Sequence, residues 1–322
     1  MGKVEILRAG PLASVQDLGR AERREGIPSG GALDLFAARV ANLLVGNSEE
    51  TALLEITLGG LRLRFGDHRA VAWCGGVFPA RIAEMEFSAG RPTFVRRGEE
   101  VEFDPPTRGC RAWLAIAGGV DLPVVLGSRS TDLRSGFGGC EGRALRDGDC
   151  LSLAKTSIAK TESPRPAPWS APLQWTQTAE RVPILRFLRG SEWDEFVPEA
   201  QIAWLRQPFT VSAQSNRMGA RLEGPKLKRT NDWELSSEAV VPGTVQVAHD
   251  GQPILLFGDC QTIGGYPKIA HVITVDLAKA AQLRPNDTVR FEEVTLAEAG
   301  TLFTERENDL RRFRVGLALR RV

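Results

Sequence analysis

Apolar and polar positions alternate over short stretches along most of the chain, the two-residue period of strands with one buried face. Val4-Glu5-Ile6-Leu7-Arg8 near the start is echoed by Val182-Pro183-Ile184-Leu185-Arg186, and LEITLGGLRLRF (54–65) is answered by LSSEAVVPGTVQV (235–247). AVAWCGG (70–76) then matches ILLFGDC (254–260), and LRDGDCLSL (145–153) matches LRPNDTVRF (283–291). Four pairs in the same order predict two related β domains. Between them, 155–181 carries Pro164, Pro166, Pro168 and Pro172 among Ser and Thr, the composition of an extended linker. The expected division is a first domain at 1–160, a Pro-rich linker at 161–180 and a second domain at 181–322.

The 3.6-residue period is rare. Asp34 is placed to N-cap LFAARVANLLVG, with Leu35, Val40, Leu43 and Leu44 as its apolar stripe and Gly46 at the C-terminal turn. Thr295 and Glu298 have the spacing of a capping box for a C-terminal helix through ERENDLRRFR. Ser191 is a candidate start for a short helix containing Trp193 and Phe196. The fold class expected is all-β, two barrels with a few short helices.

Composition narrows the partners. Lys and Arg number 41 against 40 Asp and Glu, so no global field gathers nucleic acid or anionic membrane. No run of roughly 18 apolar residues occurs and the N-terminus lacks a signal-peptide core, which leads to the expectation of a cytoplasmic protein. Cys74, Cys110, Cys140, Cys150 and Cys260 are scattered without a CxxC, and His68, His249 and His271 stand apart, so neither a metal site nor a disulfide framework is expected.

Four segments could carry chemistry. FGDCQTIGGYPKIA (257–270) follows an apolar run and sets the only tyrosine, Tyr266, beside Gly264, Gly265 and Lys268, with Asp259 and Gln261 just upstream. Glycines free to take positive φ would expose amides there, and a concave site would hold a phenol, an ammonium, a carboxylate and an amide. A plain hairpin turn is the other reading. SVQDLGR supplies Gln16, Asp17 and Arg20, and SGGALD (29–34) precedes the first helix with small residues whose amides suit an anion or a simple cap. LGSRSTDLRSGFGG (126–139) holds Ser128, Arg129 and Ser130 in a stretch too polar to bury much, hence a surface loop or a ligand lid. SNRMGARLEG (215–224) adds Arg217. No GxxxxGK[ST] phosphate loop is present.

Taken in order, SVQDLGR, SGGALD, LEITLGG, LGSRSTDLRSGFGG, SNRMGARLEG, the ELSSE and PGTVQV pair, DGQPI and QTIGGYPKIA resemble the family that includes KipA, the PxpC subunit of 5-oxoprolinase and the carboxyltransferase part of urea carboxylase, once labelled allophanate hydrolase subunit 2. The resemblance runs from about Val4 to Glu298. It implies two cyclophilin-like β-barrels, and a chain that works with a KipI/PxpB-like subunit and a PxpA-like subunit in the ATP-dependent opening of 5-oxoproline to glutamate. It implies ATP, with Mg, bound in the complex rather than by this chain alone, and a small amide substrate. The chain departs from the family pattern at Cys260, where an Arg is usual, at Ile263 (Thr) and at Cys140 (aromatic).

On that implication Asp259, Tyr266 and Lys268 are the catalytic candidates. Gln16, Asp17, Arg20, Ser128, Arg129, Ser130, Arg217, Gln261, Gly264 and Gly265 are the substrate or anion-binding candidates. Two other functions compete. A biotin-dependent carboxyltransferase would have to take biotin from another protein, because Met1, Met85 and Met218 are not followed by Lys. A KipA-type regulator would bind a kinase-inhibitor protein through the same surface.

Overall fold

A computed structural model describes residues 2–156, 165–231 and 235–320. The chain forms two compact units, one of 1–21, 30–179 and 314–322, the other of 22–29 and 180–313. Pro164 and the start of the expected linker lie outside the described residues. From Arg165 onward the Pro-rich segment packs on the first unit through Ala167 N to Pro92 O (2.9 Å) and Ala171 N to Gly90 O (2.9 Å), and includes one helical turn, Leu173–Thr176.

In the first unit β1 (Gly2–Arg8), β4 (Arg62–Phe65), β6 (Ala80–Ile82), β7 (Met85–Glu86), β9 (Glu100–Phe103) and β11 (Cys150–Leu153) make a six-stranded sheet in the order 11-1-4-9-6-7. A second sheet, in the order 2-3-10-5-8, holds β2 (Leu12–Gln16), β3 (Leu53–Thr57), β5 (Arg69–Val77), β8 (Thr93–Val95) and β10 (Arg108–Ile116). The alternation seen in the sequence becomes the core: Val4, Ile6, Leu63 and Phe65 turn inward and meet Trp73, Phe87 and Phe103, whose rings pack edge to face.

The second unit is a closed seven-stranded barrel of β12 (Ile184–Arg189), β13 (Phe209–Val211), β14 (Gly219–Glu223), β16 (Thr244–Val247), β17 (Pro253–Leu256), β19 (Lys268–Val272) and β20 (Thr288–Glu293). Beside it a two-stranded piece pairs β15 (Glu238–Ala239) with β18 (Ile263–Gly264). Phe187, Trp204, Phe209 and Phe291 fill the barrel, with the Trp204 and Phe291 rings stacked at 3.8 Å. The fold is all-β, and the paired motifs fall on strands or strand ends in both units. The pairing is not copied throughout, since β1 runs antiparallel to β11 but β12 runs parallel to β20.

The local helix signals are realised. Asp34 Oδ1 accepts from Ala37 N at 2.9 Å to cap α1 (Leu35–Leu44), although Leu35 itself is exposed because it sits at the first position, off the buried face. Thr295 and Glu298 form the reciprocal capping box, Thr295 N to Glu298 Oε2 at 2.7 Å and Glu298 N to Thr295 Oγ1 at 3.2 Å, and the helix they start runs far beyond one or two turns, from Leu296 to Arg320. The helix expected from Ser191 is only a 3-10 turn, Trp193–Glu195. Pro198 forces Val197 into an extended conformation and then opens a separate helix, Pro198–Arg206, as its first residue.

Candidate functional site

The polar groups nominated from the sequence separate into two clusters, one in each unit. In the first unit β2 ends at Gln16, and the next residue, Asp17, is the hub. Its carboxylate accepts from Gly19 N (2.8 Å), Ser128 Oγ (2.6 Å), Ser130 Oγ (2.6 Å) and Arg129 N (2.5 Å). Ser130 Oγ in turn accepts from Asp17 N at 2.9 Å. Arg20 donates to Ser130 O at 2.5 Å and lies over the Phe137 ring at 4.7 Å, while Arg129 Nε donates to Leu122 O at 2.8 Å. Gln16 Nε2 donates to Ser14 Oγ (2.9 Å) and its Oε1 has no partner among the described residues.

This cluster corrects one expectation. Ser128, Ser130, Thr131 and Asp132 are buried, so 126–139 is not a solvated surface loop at its start. Polar residues can be buried when every donor meets an acceptor, and here one carboxylate supplies the acceptors. The SGGALD amides are likewise occupied from within. Leu33 N donates to the buried Glu55 carboxylate at 3.0 Å, which also accepts from Trp113 Nε1 at 2.8 Å, and Ala32 N donates to Asp17 O at 2.9 Å.

The second unit contains an open counterpart. A cavity of ≈ 890 Å³ is bounded by the 226–229 run, the β16–β17 turn at His249 and Asp250, and the segment from Gln261 to Pro267. Gln246, on β16, joins these walls: its Nε2 donates to Tyr266 O at 3.1 Å, and its Oε1 accepts from Gln261 Nε2 at 3.3 Å. The Tyr266 ring packs edge-on against His249 with centroids 5.1 Å apart and is partly exposed.

Gly264 and Gly265 belong to this wall, but not through positive φ, which neither adopts. A Cβ on Gly264 would lie 2.8 Å from Gln246 Nε2, so the missing side chain leaves room for the carboxamide. Arg23, not foreseen from the sequence, secures the same wall: its Nη2 donates to Val240 O (2.5 Å) and Gln261 O (3.3 Å). Cys260, where the resemblance expects an arginine, is buried with this guanidinium beside its thiol, and burial pushes the thiol up.

Three nominated residues of this unit lie off the cavity wall. Arg217 and Asp259 form a buried two-pronged ion pair, Nε to Oδ2 at 2.9 Å and Nη2 to Oδ1 at 3.0 Å. Lys268 is buried between Glu192 (3.2 Å) and Glu238 (2.9 Å). Burial pulls the Lys268 ammonium down, yet its bonds to Glu238 and Glu192 outweigh this and hold it above its ordinary value. Burial pushes Glu192 the other way, but donors from Ser191 and Lys268 keep its carboxyl below the usual range. Neither the Asp259 carboxylate nor the Lys268 ammonium is therefore unengaged. Lys226, Lys228, Arg229, Gln246 and His249 line the cavity and were not singled out in the sequence, where nothing local distinguishes them. Among the described residues no group of His, Cys, Asp and Glu is placed to hold a metal, and no helix is long and apolar enough to cross a membrane.

A family model described as the carboxyltransferase domain, subdomain A and B, matches residues 25–293. The chain is 43% identical over 297 residues to the PxpC subunit of 5-oxoprolinase from Escherichia coli (strain K12), covering 92% of this chain and 93% of that protein. It is 37% identical over 308 residues to the same 5-oxoprolinase subunit from Haemophilus influenzae, with 95% and 96% covered. Among solved structures, the urea amidolyase of K. lactis superimposes with a TM-score of 0.90 at 31% identity, over 97% of this chain but only 20% of that one.

Proposed function

Because the chain belongs to the family of carboxyltransferase domains with subdomains A and B, the PxpC subunit of 5-oxoprolinase being among its relatives, we propose that it is a subunit of an ATP-dependent 5-oxoprolinase. In this role it acts with KipI/PxpB-like and PxpA-like partners to open 5-oxoproline to glutamate. The observation that carries this reading is the amide-lined cavity beside Tyr266. A lactam presents one N–H and one carbonyl in fixed geometry, and the Gln246 and Gln261 carboxamides offer complementary acceptors and donors. As water adds to the ring carbon, negative charge grows on the lactam oxygen, and a preorganised donor such as the Tyr266 hydroxyl lowers that barrier. Asp259 and Lys268, each two positions from a cavity residue, serve here as positioning residues whose ion pairs fix Gln261 and Tyr266.

ATP belongs elsewhere in this reading. The described residues build no phosphate cradle: Gly264 and Gly265 avoid the left-handed conformation, and the loop after Leu126 is closed on Asp17. The nucleotide and its Mg are accordingly assigned to the partner subunits, where they supply the driving force for opening an unstrained amide.

The superposition on urea amidolyase favours a second reading, a carboxyltransferase component served by biotin on another protein. A KipA-type regulator would instead need only a protein partner. The deciding experiment combines the purified chain with both partners, ATP and 5-oxoproline. Glutamate is expected only when all components are present, together with co-elution of the chain and its KipI-like partner on gel filtration. Glutamate release by the chain alone, or transfer from carboxybiotin with no lactam opening, overturns the proposal.

A further inference from the structure

The amide groups of the cavity account for a lactam ring but leave one stretch of its lining without a task. Lys226-Leu227-Lys228-Arg229 borders the cavity, and its main chain is held from both sides: Leu227 N donates to Gly251 O at 2.9 Å and Lys228 O accepts from Val197 N at 3.1 Å. Leu227 is buried, which anchors the run. Arg229 is engaged by Glu195 and by Asn231 Oδ1 at 3.2 Å. The ammonium groups of Lys226 and Lys228 differ, since both residues are exposed and neither has a carboxylate within ion-pair distance among the described residues. The acid on the lining is Asp250, whose Oδ1 accepts from Gln252 N at 2.9 Å, and His249 is held against Tyr266.

We propose that Lys226 and Lys228 are the specificity-determining residues of this cavity, receiving the carboxylate of an anionic cyclic amide whose ring amide lies against Gln246, Gln261 and Tyr266. The inference rests on the lactam reading above and adds to it the class of substrate accepted. Two cations on a fixed stretch of concave wall raise the local concentration of an anion, and their flexible stems let either ammonium follow the carboxylate. Asp250 on the same lining opposes a second negative charge, so a monoanion fits better than a dianion. Urea, being neutral, gives these lysines nothing to hold.

Calorimetric titration of the isolated chain with 5-oxoproline and with 2-pyrrolidone, the same ring without the carboxylate, tests this. The carboxylate is expected to improve Kd by about tenfold, as two partly solvated charge pairs can supply, and that advantage should shrink as salt rises. K226A/K228A should abolish the advantage while keeping the wild-type melting temperature, because both side chains are exposed. Equal affinity for the two ligands, no binding of 5-oxoproline, or an unchanged ratio in the double variant each overturns the inference. If the reconstituted complex still releases glutamate in those cases, the 5-oxoprolinase reading survives without it. A complex that releases none defeats that reading independently.

Discussion

The Asp17 cluster and the Tyr266 cavity draw on the same kinds of residue, yet one is closed and the other open. Around Asp17 each carboxylate lone pair is used by a hydroxyl or an amide of the same unit, and Ser128 and Ser130 both donate and accept within the cluster. Around Tyr266 the carboxamides of Gln246 and Gln261 touch one another and a backbone carbonyl but face a cavity, and the phenol donates to no described residue. A polar cluster satisfied by its own protein has nothing left for a ligand, whereas donors held in place and left unused are what a substrate can pair with. The number of polar residues in a segment does not separate the two cases. Their remaining valences do.

The contrast predicts unlike failures. Asp17→Ala removes the shared acceptor from four buried donors, and each donor left unpaired costs a substantial part of its hydration energy. We expect a loss of about 3–5 kcal/mol in stability, read by urea unfolding. A milder loss accompanied by a selective fall in substrate affinity would move Asp17 from scaffold to site and erase the distinction. Tyr266→Phe should behave in the opposite way. It keeps a partly exposed ring and deletes one hydroxyl, so stability should change by roughly 1 kcal/mol or less, while turnover of the assembled complex falls on the order of 100-fold. Full turnover in that variant would reduce the GGYP segment to a structural hairpin.

The same contrast explains what could be read from the sequence. The Asp34 cap and the Thr295–Glu298 box were legible because donor and acceptor lie three residues apart, so the sequence itself holds both halves of the interaction. The closure of the Ser128 loop was not, because its acceptor is 111 positions away, and a segment rich in Ser, Gly and Arg looks solvated until that acceptor is known. Lys268 was legible as a lysine beside GGYP. Its neutralisation by Glu192 and Glu238, 76 and 30 positions off, is a product of the barrel. Gly264 shows the limit from another side: the glycine was noticed, but its reason is the room it leaves for Gln246, not a left-handed turn. Lys226 and Lys228 were passed over because exposed lysines are common, and only a cavity makes two of them informative.

The smallest expected effect concerns the margin between closed and open, where His271 on β19 adjoins both Lys268 and Thr244. Its Nδ1 lies 3.2 Å from Thr244 Oγ1, and burial holds the imidazole below its ordinary value of 6.5, with the Lys268 charge acting in the same direction and Glu192 against it. Below 6.5 the unfolded chain therefore takes up a proton that the folded chain still refuses. Since the unfolded state binds more protons there, stability falls as pH is lowered from 6.5 toward the folded value and is flat above it, with a slope no steeper than about 1.4 kcal/mol per pH unit for one proton. Glu192 does not blur this window, because its depressed carboxyl loses its contribution only below its ordinary 4.5. Urea midpoints measured across mildly acidic pH should thus decline in the wild type and flatten in His271→Gln, which keeps a polar group near Thr244 and cannot titrate. Parallel profiles for the two proteins would show that the imidazole is as solvated as a free histidine, and would place this edge of the barrel with the open cavity rather than with the closed polar core.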